Sequence, residues 1–365
     1  MQQSPLFEPF ALKSLSVRNR VVMAPMTRSK SLNETPGEDV ATYYSRRARG
    51  GVGLIITEGT TIDRAGSSND SNIPNLYSPA SIDGWRKVVA AVHAAGAKIV
   101  PQLWHQGMVR KPGTGPRPEG KSEGPSGLSG SGKQVTEPMT ESDIADTIDA
   151  FARAAAVAKD IGFDAVELHG AHGYLVDQFF WEKSNRRNDA YGGDIGRRSR
   201  FAAEVIRAIR ARVGSDFVII HRFSQWKQQD YGAKLAQNPE ELEKLLAPLV
   251  EAGVDMFHGS TRRFWEAEFP GSDLNLSGWS KKITGKPAIT VGSVGLKGAD
   301  FIDSYQGKSA EVGELHELEE RLARGDFDLV AVGRALIGDP EWASKVRNRR
   351  FDELSAFMPA SMATL

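Results

Sequence analysis

The chain has 365 residues, Lys+Arg and Asp+Glu balanced at 46 each, and no cysteine. Balanced charge excludes the basic stripe of a dedicated nucleic-acid binder. The lack of cysteine excludes disulfides, thiolate zinc sites, cysteine nucleophiles and Cys-ligated iron–sulfur clusters.

The length suits one large α/β barrel, roughly 250 residues plus insertions, read as a single domain over residues 1–365. The start, Met1-Gln2-Gln3-Ser4-Pro5, has no basic stretch followed by an apolar one, so no signal peptide is read there. No apolar run approaches the ~20 residues of a membrane span. The expectation is a cytoplasmic protein with a small-molecule substrate and no nucleic-acid or membrane partner, monomeric or homo-oligomeric.

Eight short apolar runs follow in order: Val21–Met26, Val52–Ile56, Lys98–Leu103, Ala165–Leu168, Phe217–Ile220, Val254–Phe257, Ala288–Val291 and Leu329–Val332. Unbroken runs of this length suit parallel strands covered on both faces. Amphipathic patterns lie between most of them. Ile144, Ile148, Phe151, Ala155 and Ala158 mark one helix face, with Thr140 and Asp143 as a capping box. Phe201, Val205, Ile209 and Val213 mark another. A third carries Leu242, Leu245, Leu246 and Leu249, where Pro248 is expected to kink or end the helix.

The alternation predicts a closed (β/α)8 TIM barrel. An open doubly wound sheet would announce a dinucleotide site with Gly-x-Gly-x-x-Gly after its first strand; Thr27-Arg28-Ser29-Lys30 stands there instead. Two segments break the rhythm. Residues 107–138, rich in Gly, Pro and Ser, form a long insertion after strand three. Residues 259–287 hold Phe264, Trp265, Phe269 and Trp279 without period, either an aromatic mouth or a packed excursion.

Chemistry in such barrels gathers at the carboxyl ends of the strands. Strand three delivers Gln102, Trp104 and His105 there; strand four delivers His169 and His172; strand five delivers His221 and Arg222. Gly292-Ser293-Val294-Gly295 and Gly333-Arg334, after strands seven and eight, read as a phosphate cradle with Arg334 as a forked cation. Gln102 suits the pyrimidine edge of a flavin, Arg222 the negative charge a reduced flavin develops, and Thr27 the O4/N5 region. Glu167, His169 and His172 present a metal site as an alternative. A lyase or aldolase working on a phosphate-bearing substrate is another, but it needs an inner lysine that these ends do not offer. A non-catalytic flavin binder is a third.

The strand-four segment is the most specific. Glu167-Leu168-His169-Gly170-Ala171-His172-Gly173-Tyr174-Leu175 crowds two imidazoles and a phenol into six residues. The imidazoles, three apart, converge if the strand passes into a helical turn. Two neutral imidazoles can then stabilise negative charge on one substrate oxygen. A phenol, with an unperturbed pKa of about 10, stays protonated and able to donate.

With Asn19–Thr27, Gln102–His105, Gln178-Phe179, Asn185–Gly193 and Gly333–Pro340, this segment resembles the Old Yellow Enzyme family of FMN-dependent ene-reductases over nearly the whole chain. The resemblance implies one FMN-binding barrel capped at its bottom by an amino-terminal hairpin. It implies NADPH or NADH reducing FMN, whose N5 hydride passes to the β-carbon of an α,β-unsaturated carbonyl or nitro compound. Nitrate esters and nitroaromatics are further candidate substrates. Carried onto this chain, FMN contacts are Pro25, Met26, Thr27, Gly59, Gln102, Arg222, Gly292, Ser293, Gly333 and Arg334. His169 and His172 hold the substrate oxygen, Trp104 lies beside the substrate, and Tyr174 protonates the α-carbon; no metal is implied.

The chain departs from the family in three places. Arg222-Phe223-Ser224-Gln225 replaces the usual Arg-x-Ser-Pro, Phe180-Trp181-Glu182 replaces Leu-Ser-Pro, and Thr27 stands where some members carry cysteine.

Overall fold

All eight apolar runs become strands of one closed parallel barrel in the computed structural model, which describes residues 4–365 apart from the Tyr305 side chain. Residues 1–3, part of the segment read for a signal peptide, lie outside the described residues. The strands are Val21–Met23, Leu54–Thr61, Lys98–Trp104, Ala165–His172, Val218–Lys227, Met256–Ser260, Ala288–Val291 and Leu329–Val332, called strands one to eight below. Strand eight pairs with strand one through Val330 and Val21, which closes the cylinder.

Alternation along the strands sorts the apolar residues into two cores. Val22, Leu54, Ile56, Val100, Val218 and Ile220 face inward and pack with their neighbours as the barrel interior. Val21, Ile55, Ile99, Val166, Ile219 and Val330 face outward against the helices. Both faces are dry, so the runs show no polar alternation.

The outer helices follow their sequence signals. Glu141–Asp160 starts with the Thr140/Asp143 capping box. Arg200–Val213 buries Phe201, Val205, Ile209 and Val213. Pro239–Glu251 accommodates Pro248 in its last turn and stops three residues later, where the lost hydrogen bond costs least. Among the described residues, no helix is long and apolar enough to cross a membrane.

The bottom of the barrel is closed by an antiparallel hairpin, Phe10–Leu12 with Leu15–Val17. Leu15 and Val17 join the interior cluster. The turn is tied to the amino end of strand five, Lys13 Nζ donating to Ser215 O at 2.7 Å and Ser14 Oγ to Asp216 O at 2.9 Å.

At the other end, the insertion folds around the buried Arg110. Its guanidinium donates to the carbonyls of Ser68, Thr114, Arg117 and Gly120 at 2.7–3.1 Å. Glu123 of the insertion accepts from His105 Nε2 at 2.8 Å and pairs with Arg64. The insertion is therefore pinned to the mouth rather than free. Residues 259–287 are a packed excursion, with Phe264 and Phe269 buried in the outer core.

The hairpin plug accounts for stability, not chemistry. Leu15→Ala is expected to lower unfolding free energy in urea by about 2–4 kcal/mol, the usual range for a buried leucine. Cofactor content per folded molecule should be unchanged, because the catalytic mouth lies at the opposite end.

Candidate active site

Above the hydrocarbon interior, the next inward positions are polar. Glu167 on strand four is fully buried. It accepts from Gln102 Nε2 at 2.8 Å and is bridged to His258 Nδ1 at 2.6 Å. Burial opposes its charge, but His258 and Arg222 outweigh that and hold the carboxyl below its usual value. Burial also lowers His258, so a neutral imidazole donates to an ionised carboxylate and Arg222 is the balancing cation. This is the role of Glu167. Among the described residues, no cluster of three or more His, Cys, Asp or Glu is arranged to hold a metal.

The upper part of strand four departs from regular geometry. Its pairing with strand five slips between Gly170 and His172. His172 takes φ +65° and Gly173 φ +81°. A left-handed non-glycine residue of this kind costs roughly 1–3 kcal/mol and is found where surroundings enforce it. The expected helical turn is not what brings the imidazoles together; a bulge followed by two left-handed residues does. The His169 and His172 rings lie 5.2 Å apart, and His169 and Tyr174 5.0 Å apart. Trp104 stands edge-on to Tyr174 at 4.9 Å.

Hydrogen bonds hold both imidazoles in place. His169 Nδ1 accepts from Ala171 N–H at 3.3 Å, leaving Nε2–H as donor. Arg222 Nη2 donates to Ser260 Oγ at 3.2 Å, and Ser260 Oγ lies 2.8 Å from His172 Nε2. Ser260 thus ties the His172 ring to Arg222, and a neutral His172 keeps one N–H whichever nitrogen carries it. Burial first, then Arg222, depresses both imidazoles well below their usual value, so both are neutral.

Seven of the ten residues expected around the flavin line one cavity: Pro25, Met26, Arg222, Gly292, Ser293, Gly333 and Arg334. His172, Trp226 and Ser260 line it with them. It measures about 130 Å³ and adjoins a cleft of about 170 Å³ that shares Pro25, Met26, Phe301 and Arg334. Thr27 lines that cleft and is exposed. Gln102 is not among the lining residues, and one N–H of its amide goes to Glu167 Oε1, which leaves its second N–H and its Oε1 for a ring edge. Gly59 sits under Trp104, where a Cβ would come within 2.3 Å of the indole. A wider cleft of about 680 Å³ between Phe7, Leu315 and Phe351 holds none of these groups.

The donor set fits FMN. Arg222 is buried, and its Nε has no protein partner. Gly292 adopts φ +144°, and a Cβ there would meet Thr261 Oγ1 at 2.8 Å, so only glycine allows this close turn. Arg334 donates to Ser293 Oγ at 3.3 Å and Ser304 Oγ at 2.7 Å, which holds its fork at the rim of the Gly292–Ser293 turn. Gln102, Arg222 and the Gly292/Gly333 turns would hold the ring edge and the phosphate.

Other predicted groups go elsewhere. His221 points outward and packs among Phe180, Phe223 and Phe257, and burial lowers its pKa to about 3. The sequence reading also missed several participants. His258 and Ser260 lie just past the expected end of strand six, and Trp226, Lys227 and Gln228 far past the end of strand five. Lys227 is a barrel-strand lysine the sequence reading did not place. Its Nζ is spent on Asp177 Oδ1 at 2.8 Å and Ser224 O at 3.1 Å, so it is no Schiff-base candidate. A buried acid within Leu175-Val176-Asp177-Gln178-Phe179-Phe180 was the available signal for a buried partner cation.

Phosphate-type turns on the last two strands beneath two neutral imidazoles and a phenol define a flavin oxidoreductase of the barrel type. The comparisons agree. The NADH:flavin oxidoreductase / NADH oxidase family is matched over residues 5–353, and the chain belongs to it; this is the Old Yellow Enzyme family, with FMN and NAD(P)H as its cofactors. An NADH oxidase of Thermoanaerobacter brockii is 36% identical over 362 residues, covering 96% of this chain and 52% of its own length. The chain thus spans about half of that relative. A putative 12-oxophytodienoate reductase 2 of Oryza sativa subsp. japonica is 39% identical over 350 residues, covering 92% and 85%. The structure of morphinone reductase in complex with tetrahydroNAD superposes with a TM-score of 0.81 at 28% identity, covering 98% of this chain and 93% of that one.

The buried titrating groups set the pH dependence of folding. His169, His172, His221 and His258 are lowered by burial, so below about pH 6.5 the unfolded chain takes up protons the folded one refuses. Burial raises Glu58 to about 7, Asp177 to about 6, and Glu268 as well, which acts in the opposite sense. Four imidazoles outweigh three carboxyls. Stability should therefore fall on acidification from about pH 6.5 to 5. Denaturant midpoints across that window test the sign.

Proposed function

We propose that the protein is an NAD(P)H-dependent ene-reductase that reduces the C=C bond of α,β-unsaturated carbonyl or nitro compounds. The observation carrying this reading is the convergence at the mouth of His172 and Tyr174 on His169, whose ring lies 5.2 Å from the first and 5.0 Å from the second. Two relatives whose names designate reduction of 12-oxophytodienoate and morphinone support it.

The hydride would come from FMN when it is bound and reduced. The chain's own groups supply the rest. An alkene conjugated to an oxygen accepts hydride at its β-carbon only as negative charge moves onto that oxygen. His169 Nε2–H, preset by Ala171, and the neutral His172 ring, held by Ser260 and Arg222, are the groups for that charge. Neutral donors hold an enolate without first transferring a proton to it. Tyr174, at the start of the helix Leu175–Phe180, delivers its proton to the α-carbon. Trp104 backs the phenol and fixes its edge.

Stopped-flow kinetics test the assignment directly. Tyr174→Phe should leave flavin reduction by NAD(P)H near the parent rate and slow the alkene half-reaction by about 10²–10⁴-fold. Equal alkene rates would remove Tyr174 from the mechanism. Cyclic enones, maleimides, nitroalkenes, nitrate esters and nitroaromatics form the substrate panel.

The same geometry makes a pH prediction. Both imidazoles are already neutral, so KM for an enone should stay flat between about pH 6 and 8. A break centred near the free-histidine value would show that one of them titrates in that range.

A further inference from the structure

Strand five is ten residues long, Val218–Lys227, and continues well past Arg222. Gln225, at the position where the family pattern has proline, makes this continuation possible. Its Oε1 accepts from Leu235 and Ala236 N–H at 2.7 and 3.0 Å, and its Nε2 donates to Ala236 O at 2.8 Å. The buried amide thus pins the loop that follows.

The continuation is laced to the end of strand four. His172 N–H donates to Ser224 Oγ at 3.0 Å, and Gln228 N–H to His172 O at 3.2 Å. Asp177 Oδ2 accepts from Gly173 N–H at 2.6 Å, while its Oδ1 holds the fully buried Lys227. Trp226 stacks on the His172 ring at 4.4 Å. At the end of this lacing, Gln228 Nε2 donates to Tyr174 Oη at 2.9 Å.

We propose that Gln228, delivered by this extension, is a positioning residue for Tyr174: it holds the phenolic oxygen by donating to it and steadies the charge left there after proton transfer. The proposal rests on the proton-donor role of Tyr174 given above. An N–H donor aimed at a phenolic oxygen favours the phenolate over the phenol. It also takes one lone pair of the oxygen, so the hydroxyl proton has to point away from Gln228. Charged and titrating groups on the elements packed around the phenol include His169 and His172 from strand four, the Asp177–Lys227 pair from the next helix and strand five, and His105 with Glu123 and Arg64 beside Leu175. None of these is altered by substituting Gln228.

The test uses the FMN-loaded protein with ¹³C-labelled tyrosine ring carbons, the Tyr174 resonance being assigned by its loss in Tyr174→Phe. Gln228→Leu should move the Tyr174 titration upward by about one pH unit. It should slow the alkene half-reaction roughly three- to tenfold, the range for loss of one neutral hydrogen bond, with flavin reduction by NAD(P)H unchanged. Gln228→Glu, which presents only acceptors when ionised, should move the titration further in the same direction; it also serves if the leucine variant folds poorly. A Tyr174 titration unmoved or lowered in both variants overturns the proposal. If instead Tyr174→Phe reduces alkenes at the parent rate while Gln228→Leu still shifts the titration, the hydrogen bond stands and the proton-donor reading fails.

Discussion

A carboxylate sealed at the centre of the barrel has to be balanced, and the way it is balanced organises the mouth. Glu167 has no water to solvate it, and an unpaired charge at such depth is untenable. Gln102, His258 and Arg222 surround it from strands three, six and five. Arg222 then does a second job. Burial first and then its charge depress His169 and His172, and its Nη2 donates to Ser260 beside His172. The cation that balances one buried anion therefore also helps keep the imidazoles of the mouth neutral.

The mouth shows the same economy in its backbone. His172 is held in a left-handed conformation that a regular strand forbids. The hydrogen bonds to Ser224 and from Gln228, and the Asp177–Lys227 pair beside them, over-determine it. That strain converts a strand, whose side chains alternate between faces, into a site where the rings of His169 and His172, three apart, lie 5.2 Å from each other.

Much of the fold was legible in the chain. The eight apolar runs, the capping box at Thr140 and Asp143, and the glycine turns after strands seven and eight all took the expected places. They were legible because each depends on local pattern: burial of both strand faces, a side chain reaching its own helix start, and a turn whose backbone, at Gly292, takes positive φ. Strand ends were less legible. Strand five was read as stopping at Ile220 and runs to Lys227, because its polar continuation is buried by partners distant in sequence. His221 looked like a site residue beside Arg222, yet alternation turns it outward among phenylalanines.

By itself, the sequence determined the barrel, the family and the chemical types at its mouth, since periodicity and a nine-residue block are properties of neighbouring positions. Only the folded chain decided how those groups are tuned. Glu167 could have been read as a metal ligand until Gln102 and His258 were seen to satisfy it, and Lys227 as a surface cation until Asp177 was found beneath it. Protonation and tautomer follow from desolvation and from contacts across strands, and those exist only once remote segments share a dry interior.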